Sequence, residues 1–252
     1  MTHPFELHEE ITLDATPEQV WAAIATGPGI DSWFMGHSEI EPREGGRGSM
    51  SLGGFVQGST ITGWDEGKRF ALRSDTNPDA TFMAFEYLIE GRDGGSTVLR
   101  FVHSGLLGDD WEAEYDGLST GDRMYLLKLA TYVANFAGRT STHNMFLVGP
   151  LVADKAAAFA GFAQAFGLAG DVAEGAKTTV AVDGLAPTDG VVAFANVPTY
   201  LGVRTADGMY SLIHGYNDAV VVEYHAFNDD VDIQAIEHAW QTWLATAFAS
   251  AS

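Results

Sequence analysis

Three side chains have the types needed to move protons in an apolar setting: His103, Glu86 and Tyr115. A histidine titrates near neutral pH and can act as general base or general acid. It needs a carboxylate to orient it. Asp109, Asp110, Glu112 and Glu114 follow closely, in "LLGDDWEAEYDG". Spacing alone sets none of the four against the ring. The competing reading of His103 is structural: a strand-end residue that bonds neighbouring backbone or caps the loop. No catalytic residue is assigned beyond these three candidates.

Other chemistries find little support. The eight histidines are scattered, with no HExxH and no helical i, i+4 pair. His214 and His225 could meet across a hairpin, but a third ligand is not evident, so neither metal nor cofactor is expected. The chain has no cysteine, which removes thiolate sites and disulfides. No serine stands in GxSxG. The glycine pairs at 45–46, 53–54 and 94–95 read as hairpin turns rather than phosphate cradles. Aromatic residues are the stronger signal. Most must be core, but Trp33, Phe34, Phe70, Phe85, His103, Trp111 and Tyr125 are candidates to line an apolar ligand pocket.

Charge narrows the partners. Thirteen Lys and Arg stand against 34 Asp and Glu, a formal net charge of -21. Such a surface repels nucleic-acid backbones and anionic membranes. The most apolar run, "LVADKAAAFAGFAQAFGLAG", is broken by Asp154, Lys155 and Gln164, so no membrane insertion is expected. "MTHPFELHEE" has neither a basic nor an apolar leader region, so no signal peptide is expected. A cytoplasmic, bacterial protein fits. The expected partner is an apolar small molecule, and a homodimer is left open.

These side chains need elements to hold them. The sequence predicts a strand over 5–13, then a helix from "TPEQVWAAIAT" opened by a Thr16–Gln19 capping box and stopped by "GPG". "IDSWFMG" reads as a short second helix capped by Asp31. Five strands follow, at about 46–52, 56–64, 68–74, 80–90 and 96–103, then a helix over about 114–137. Leu118, Tyr125, Leu126, Leu129, Val133 and Phe136 form its apolar stripe. Strand alternation puts Leu99, Phe101 and His103 on one face, probing inward with Met83, Phe85 and Tyr87. Glu86 takes the opposite face, where Arg100 is expected to pair with it. The class is α+β: a curved antiparallel sheet around a long helix, the helix-grip arrangement.

The polar stretch "GRTSTHN" at 138–144 marks a boundary between domains 1–140 and 145–252. The second half is predicted as a helix near 150–166, strands near 177–182, 190–195, 200–205, 208–215 and 219–226, and a helix over 231–248. "VLRFVH" (98–103) lines up with "VVVEYH" (220–225), and "FALRSD" (70–75) with "LGVRTAD" (201–207). This reads as a diverged internal duplication, smaller and without an obvious first strand. His225 then echoes His103, which favours a fold-related role for both.

The ordered set "ITLDATPEQVWAAIATGPGIDSWF", "EGGRGSM", "GSTITGWDEGKRFALR", "STVLRFVHSG" and the long helix resembles the START-like (birch-pollen-allergen-like, SRPBCC) superfamily. Within it, residues 5–138 look most like the domain named after the activator of the heat-shock-protein-90 ATPase. The resemblance implies a helix-grip fold enclosing a hydrophobic cavity for lipids or other apolar molecules, with cyclase or dehydratase chemistry in a few members. Family members usually carry tryptophan after the glycine of the final helix, whereas this chain reads Gly121-Asp122. Three functions follow. The first is binding of a hydrophobic small molecule without covalent chemistry. The second is a polyketide cyclase- or dehydratase-like enzyme using His103 with Glu86 or Tyr115. The third is a protein-binding or chaperone-regulator module.

Overall fold

The computed structural model describes residues 1–170 and 172–249. Internal contacts divide the chain into two units, Met1–Thr140 and Ser141–Ser252. No helix among the described residues is long and apolar enough to cross a membrane.

The first unit runs β1 (His3–Leu13), α1 (Pro17–Ala25), α2 (Gly27–Asp31), β2 (His37–Ile40), β3 (Arg47–Leu52), β4 (Phe55–Asp65), β5 (Arg69–Ser74), β6 (Phe82–Gly91), β7 (Thr97–Leu107) and α3 (Trp111–Phe136). Its seven strands form one antiparallel sheet in the order β1-β7-β6-β5-β4-β3-β2. The capping box forms: Thr16 Oγ1 accepts the Gln19 N–H at 3.3 Å, and Gln19 Oε1 accepts the Thr16 N–H at 2.9 Å.

The "GPG" segment departs from expectation. It opens α2 rather than only closing α1, because Thr26 accepts the Gly29 N–H at 3.1 Å and proline suits a first turn. Gly29 is needed there, since a Cβ would lie 2.0 Å from the Ala22 carbonyl oxygen. Asp31 therefore ends this helix instead of capping it. Its carboxylate accepts the Ser38 N–H at 2.7 Å and pairs with His37 Nδ1 at 2.6 Å. Burial raises the Asp31 pKa despite these partners. The expected Arg100–Glu86 pair does not form. The register sets Arg100 opposite Leu88 and Glu10, and Glu86 opposite Ala71 and Val102. Arg100 accordingly bonds Glu10 at 2.8 Å and Glu90 at 3.1 Å, while Glu86 takes Arg69 at 2.5 Å.

The second unit runs β8 (His143–Leu151), α4 (Lys155–Ala165), β9 (Lys177–Val180), β10 (Thr188–Asn196), β11 (Tyr200–Thr205), β12 (Gly208–His214), β13 (Ala219–Ala226) and α5 (Ile233–Ala247). Its sheet order is β8-β13-β12-β11-β10-β9. In both sheets the first strand pairs with the last, and the other strands follow in sequence order. The two aligned segments fall on equivalent strands, β7 with β13 and β5 with β11. The second copy does have a first strand, contrary to expectation. β8 was hidden because Gly149 and Pro150 interrupt it, which an edge strand tolerates. The helix starts later than expected, at Lys155, where Asp154 accepts the Ala156 and Ala157 N–H groups. Among the described residues, the second unit has six strands to the first unit's seven, and one helix rather than two between its first two strands.

Candidate functional site

β7 and β6 set the site. Their register places Phe85 opposite His103 and Tyr87 opposite Phe101, all on the face that meets α3. The His103 ring stacks on Phe85 at 4.2 Å between centroids and meets Phe5 edge-on at 5.0 Å. His103 is 2% exposed.

Its partner comes from the helix. Asp122 lies 2.9 Å (Oδ2) and 3.1 Å (Oδ1) from His103 Nδ1. A carboxylate oxygen accepts, so Nδ1 carries the hydrogen of this contact, and Nε2 is an acceptor in a neutral ring and a donor in a protonated one. Nε2 is buried and has no hydrogen-bond partner. Tyr87 adjoins the pair: burial first, then the Asp122 charge, holds its phenol well above the ordinary range and therefore neutral. The arrangement is a carboxylate-oriented imidazole among aromatic rings, able to accept or deliver one proton at Nε2.

The sequence showed part of this. Asp122 sits four residues after Leu118 and four before Leu126, in the middle of the α3 apolar stripe. A carboxylate there calls for a buried partner, and His103 is the inward polar group of β7. Of the loop carboxylates, Asp109 takes the terminal amine and Glu114 accepts the Gly108 N–H at 3.3 Å. Lys128 was also missed: it is fully buried, with Nζ 4.7 Å from the centre of the Tyr125 ring.

The other candidates separate. Glu86 lies on the opposite face from His103, held by Arg69. Tyr115 is half-buried on α3, seven residues before Asp122 and so on the same helix face. Phe34 and Tyr125 are half-buried and in ring contact at 4.5 Å. Trp33 is buried and donates its indole N–H to the Ala23 carbonyl at 2.9 Å. Phe70 is buried among Trp21, Trp64 and Tyr87. Trp111 is 36% exposed and stacks on His3 at 5.3 Å. Among the described residues, no group of three or more His, Asp or Glu could hold a metal ion.

The echo between the two histidines fails in three dimensions. Tyr224 stacks on Tyr210 at 4.2 Å, and Tyr210 meets Trp240 of α5 at 5.7 Å. The helix therefore covers the Tyr224 face of β13, and His225, one residue on, points the other way. His103 faces its helix, whereas His225 faces away and contacts Asn144 Oδ1 of β8 at 3.1 Å. His214 and His225 do not meet either: they pair with Val220 and Met209, at opposite ends of the β12–β13 ladder.

Residues 14–134 match the family model described as Activator of Hsp90 ATPase homolog 1-like protein. No curated protein sequence matches the chain. Solved structures similar to it include a Mesorhizobium loti protein, MLL2253, at 20% identity and TM-score 0.47, covering 52% of this chain and 98% of that one. The Aha1 dimer of Colwellia psychrerythraea is similar at 20% identity and TM-score 0.43, covering 51% and 96%. The di-domain ARO/CYC BexL of the BE-7585A biosynthetic pathway is similar at 14% identity and TM-score 0.47, covering 98% and 99%. The family match covers most of the first unit, Met1–Thr140, and the second unit repeats that unit's strand order with one strand fewer among the described residues.

Proposed function

We propose that the first domain binds a hydrophobic small molecule on the α3-facing side of its sheet, without covalent chemistry. One observation carries this reading. The inward side chains Leu72, Met83, Phe85 and Tyr87, with Phe34 and Tyr125 nearby, are only half-buried, although they share that face with fully buried Phe70, Leu99 and Phe101. Apolar surface left partly uncovered beside a packed core favours an apolar occupant by roughly 25 cal/mol per Å² that it covers. The purified protein, examined by native mass spectrometry with and without added apolar aromatics, is expected to carry a stoichiometric ligand. Failure of every such compound to bind or raise the melting temperature would overturn the reading.

A second reading, a cyclase- or dehydratase-like enzyme, is favoured by the His103–Asp122 pair. Asp122 takes the orienting role in it, since Glu86 is across the sheet. His103→Gln is then expected to abolish turnover of a bound substrate while leaving its affinity largely unchanged.

A further inference from the structure

We infer that the first half of α3, residues 111–121, is a strap that unwinds in place and uncovers one end of the first sheet's inner face, while residues 124–136 stay docked. This goes beyond the binding reading above and is tested without a ligand.

Burial divides α3 into two parts. Met124, Leu126, Leu129, Val133 and Phe136 are buried. Each of residues 111–123 is exposed or half-buried, including Tyr115 and Leu118. Most of a helix's stability inside a protein comes from the packing of its apolar face. The second half of α3 has that support, and the first half has little of it.

Composition sharpens the division. Residues 116–122 read Asp-Gly-Leu-Ser-Thr-Gly-Asp, and Leu118 alone among them is a strong helix former. A glycine kept inside a helix usually has a packing or a functional reason. Packing does not require Gly121, since a Cβ there would meet no described atom within 4 Å. What the glycine does is loosen the helix where its two parts join.

Both ends of the strap are held. At its start, Leu107 closes β7 fully buried, His3 stacks on Trp111 at 5.3 Å, and Glu114 accepts the Gly108 N–H at 3.3 Å. At its end, Asp122 meets His103 at 2.9 Å and Arg123 bonds Glu9 at 3.0 Å. A segment fixed at both ends cannot swing out as a rigid rod, so it opens by losing helical turns. Residues 111–121 span about 16 Å as a helix and more than about 30 Å when extended. The added length lets the chain lift from the sheet with neither end released. The opening lies beyond His103, where Phe5 and Met83 stand on either side of Gly105 in the sheet.

Hydrogen exchange of the full chain, read by mass spectrometry, tests this. Amides of residues 115–121 are expected to exchange at least about 100-fold faster than those of 126–136. Gly121→Ala should slow the first segment about fivefold, the equivalent of one glycine-to-alanine replacement within a helix, and leave the second unchanged. Trp111→Ala, which removes the ring that His3 stacks on, should speed the first segment only. Equal protection of the two segments, or a Gly121→Ala effect shared equally by both, would overturn the inference. So would fast exchange confined to the first turn, which is ordinary end fraying. The binding reading stands or falls separately in every case.

Discussion

The two sheets share a strand order and differ in what they enclose. In the first, the helix brings a carboxylate to an inward histidine, and the surrounding face is only partly covered. In the second, the helix brings Trp240 and Leu244 onto Tyr210, Tyr224, Val220 and Val222, all buried in one cluster. Counting from the matched histidines, Asp122 and Leu244 occupy the same offset along the chain. A single fold plan thus supports one interior that holds a His103–Asp122 pair and one whose helix packs on an aromatic and aliphatic cluster. The difference lies in which residue faces inward, and a shift of one residue on a strand decides that.

The largest effect that sharpens the contrast comes from truncating matched interiors. Trp240→Ala removes a fully buried side chain and is expected to cost about 3–5 kcal/mol. Phe85→Ala, at a half-buried position, should cost well under half of that. Urea denaturation of both variants checks it, and comparable losses would mean that the first interior is as closed as the second.

A smaller effect tests whether the polar pair can be replaced by apolar side chains. Asp122→Leu leaves Nδ1–H buried without an acceptor and is expected to cost about 1–3 kcal/mol. Adding His103→Phe should return stability to within about 1 kcal/mol of the wild type, because both polar groups are then gone. A double-mutant cycle reads the coupling, and additive losses would show that the pair does not act as a unit.

The smallest effect appears at alkaline pH. Burial raises the folded-state pKa of Tyr87 above the ordinary 10.0. The stability tied to its neutral form is present below that value and is lost as pH rises above it, because the unfolded chain ionises first. Tyr87→Phe should flatten the fall in melting temperature above about pH 10. Tyr210→Phe should do the same for the second domain, whose phenol is raised for the same first reason, burial. No flattening at Tyr87 would mean that its hydroxyl is open to water.

Much of the fold was legible in the sequence. Strand alternation put Leu99, Phe101 and His103 on one face, and the Thr16–Gln19 box fixed the start of α1. β2 and β8 were not legible, because a four-residue edge strand and a strand carrying Gly149 and Pro150 have weak local signals. The site was half legible. Both members of the dyad had been singled out, but their contact spans 19 residues and depends on how α3 crosses the sheet.

The sequence by itself determined the α+β class and the inward face of β7, because each is a periodic pattern along one element, while Asp122 stood out only as a departure from the final helix of the family it resembles. Only the tertiary structure decided that Asp122 belongs to His103, that Glu86 lies across the sheet, and that His225 points away from its helix. Those facts depend on register and helix docking, which bring together residues that local periodicity cannot relate.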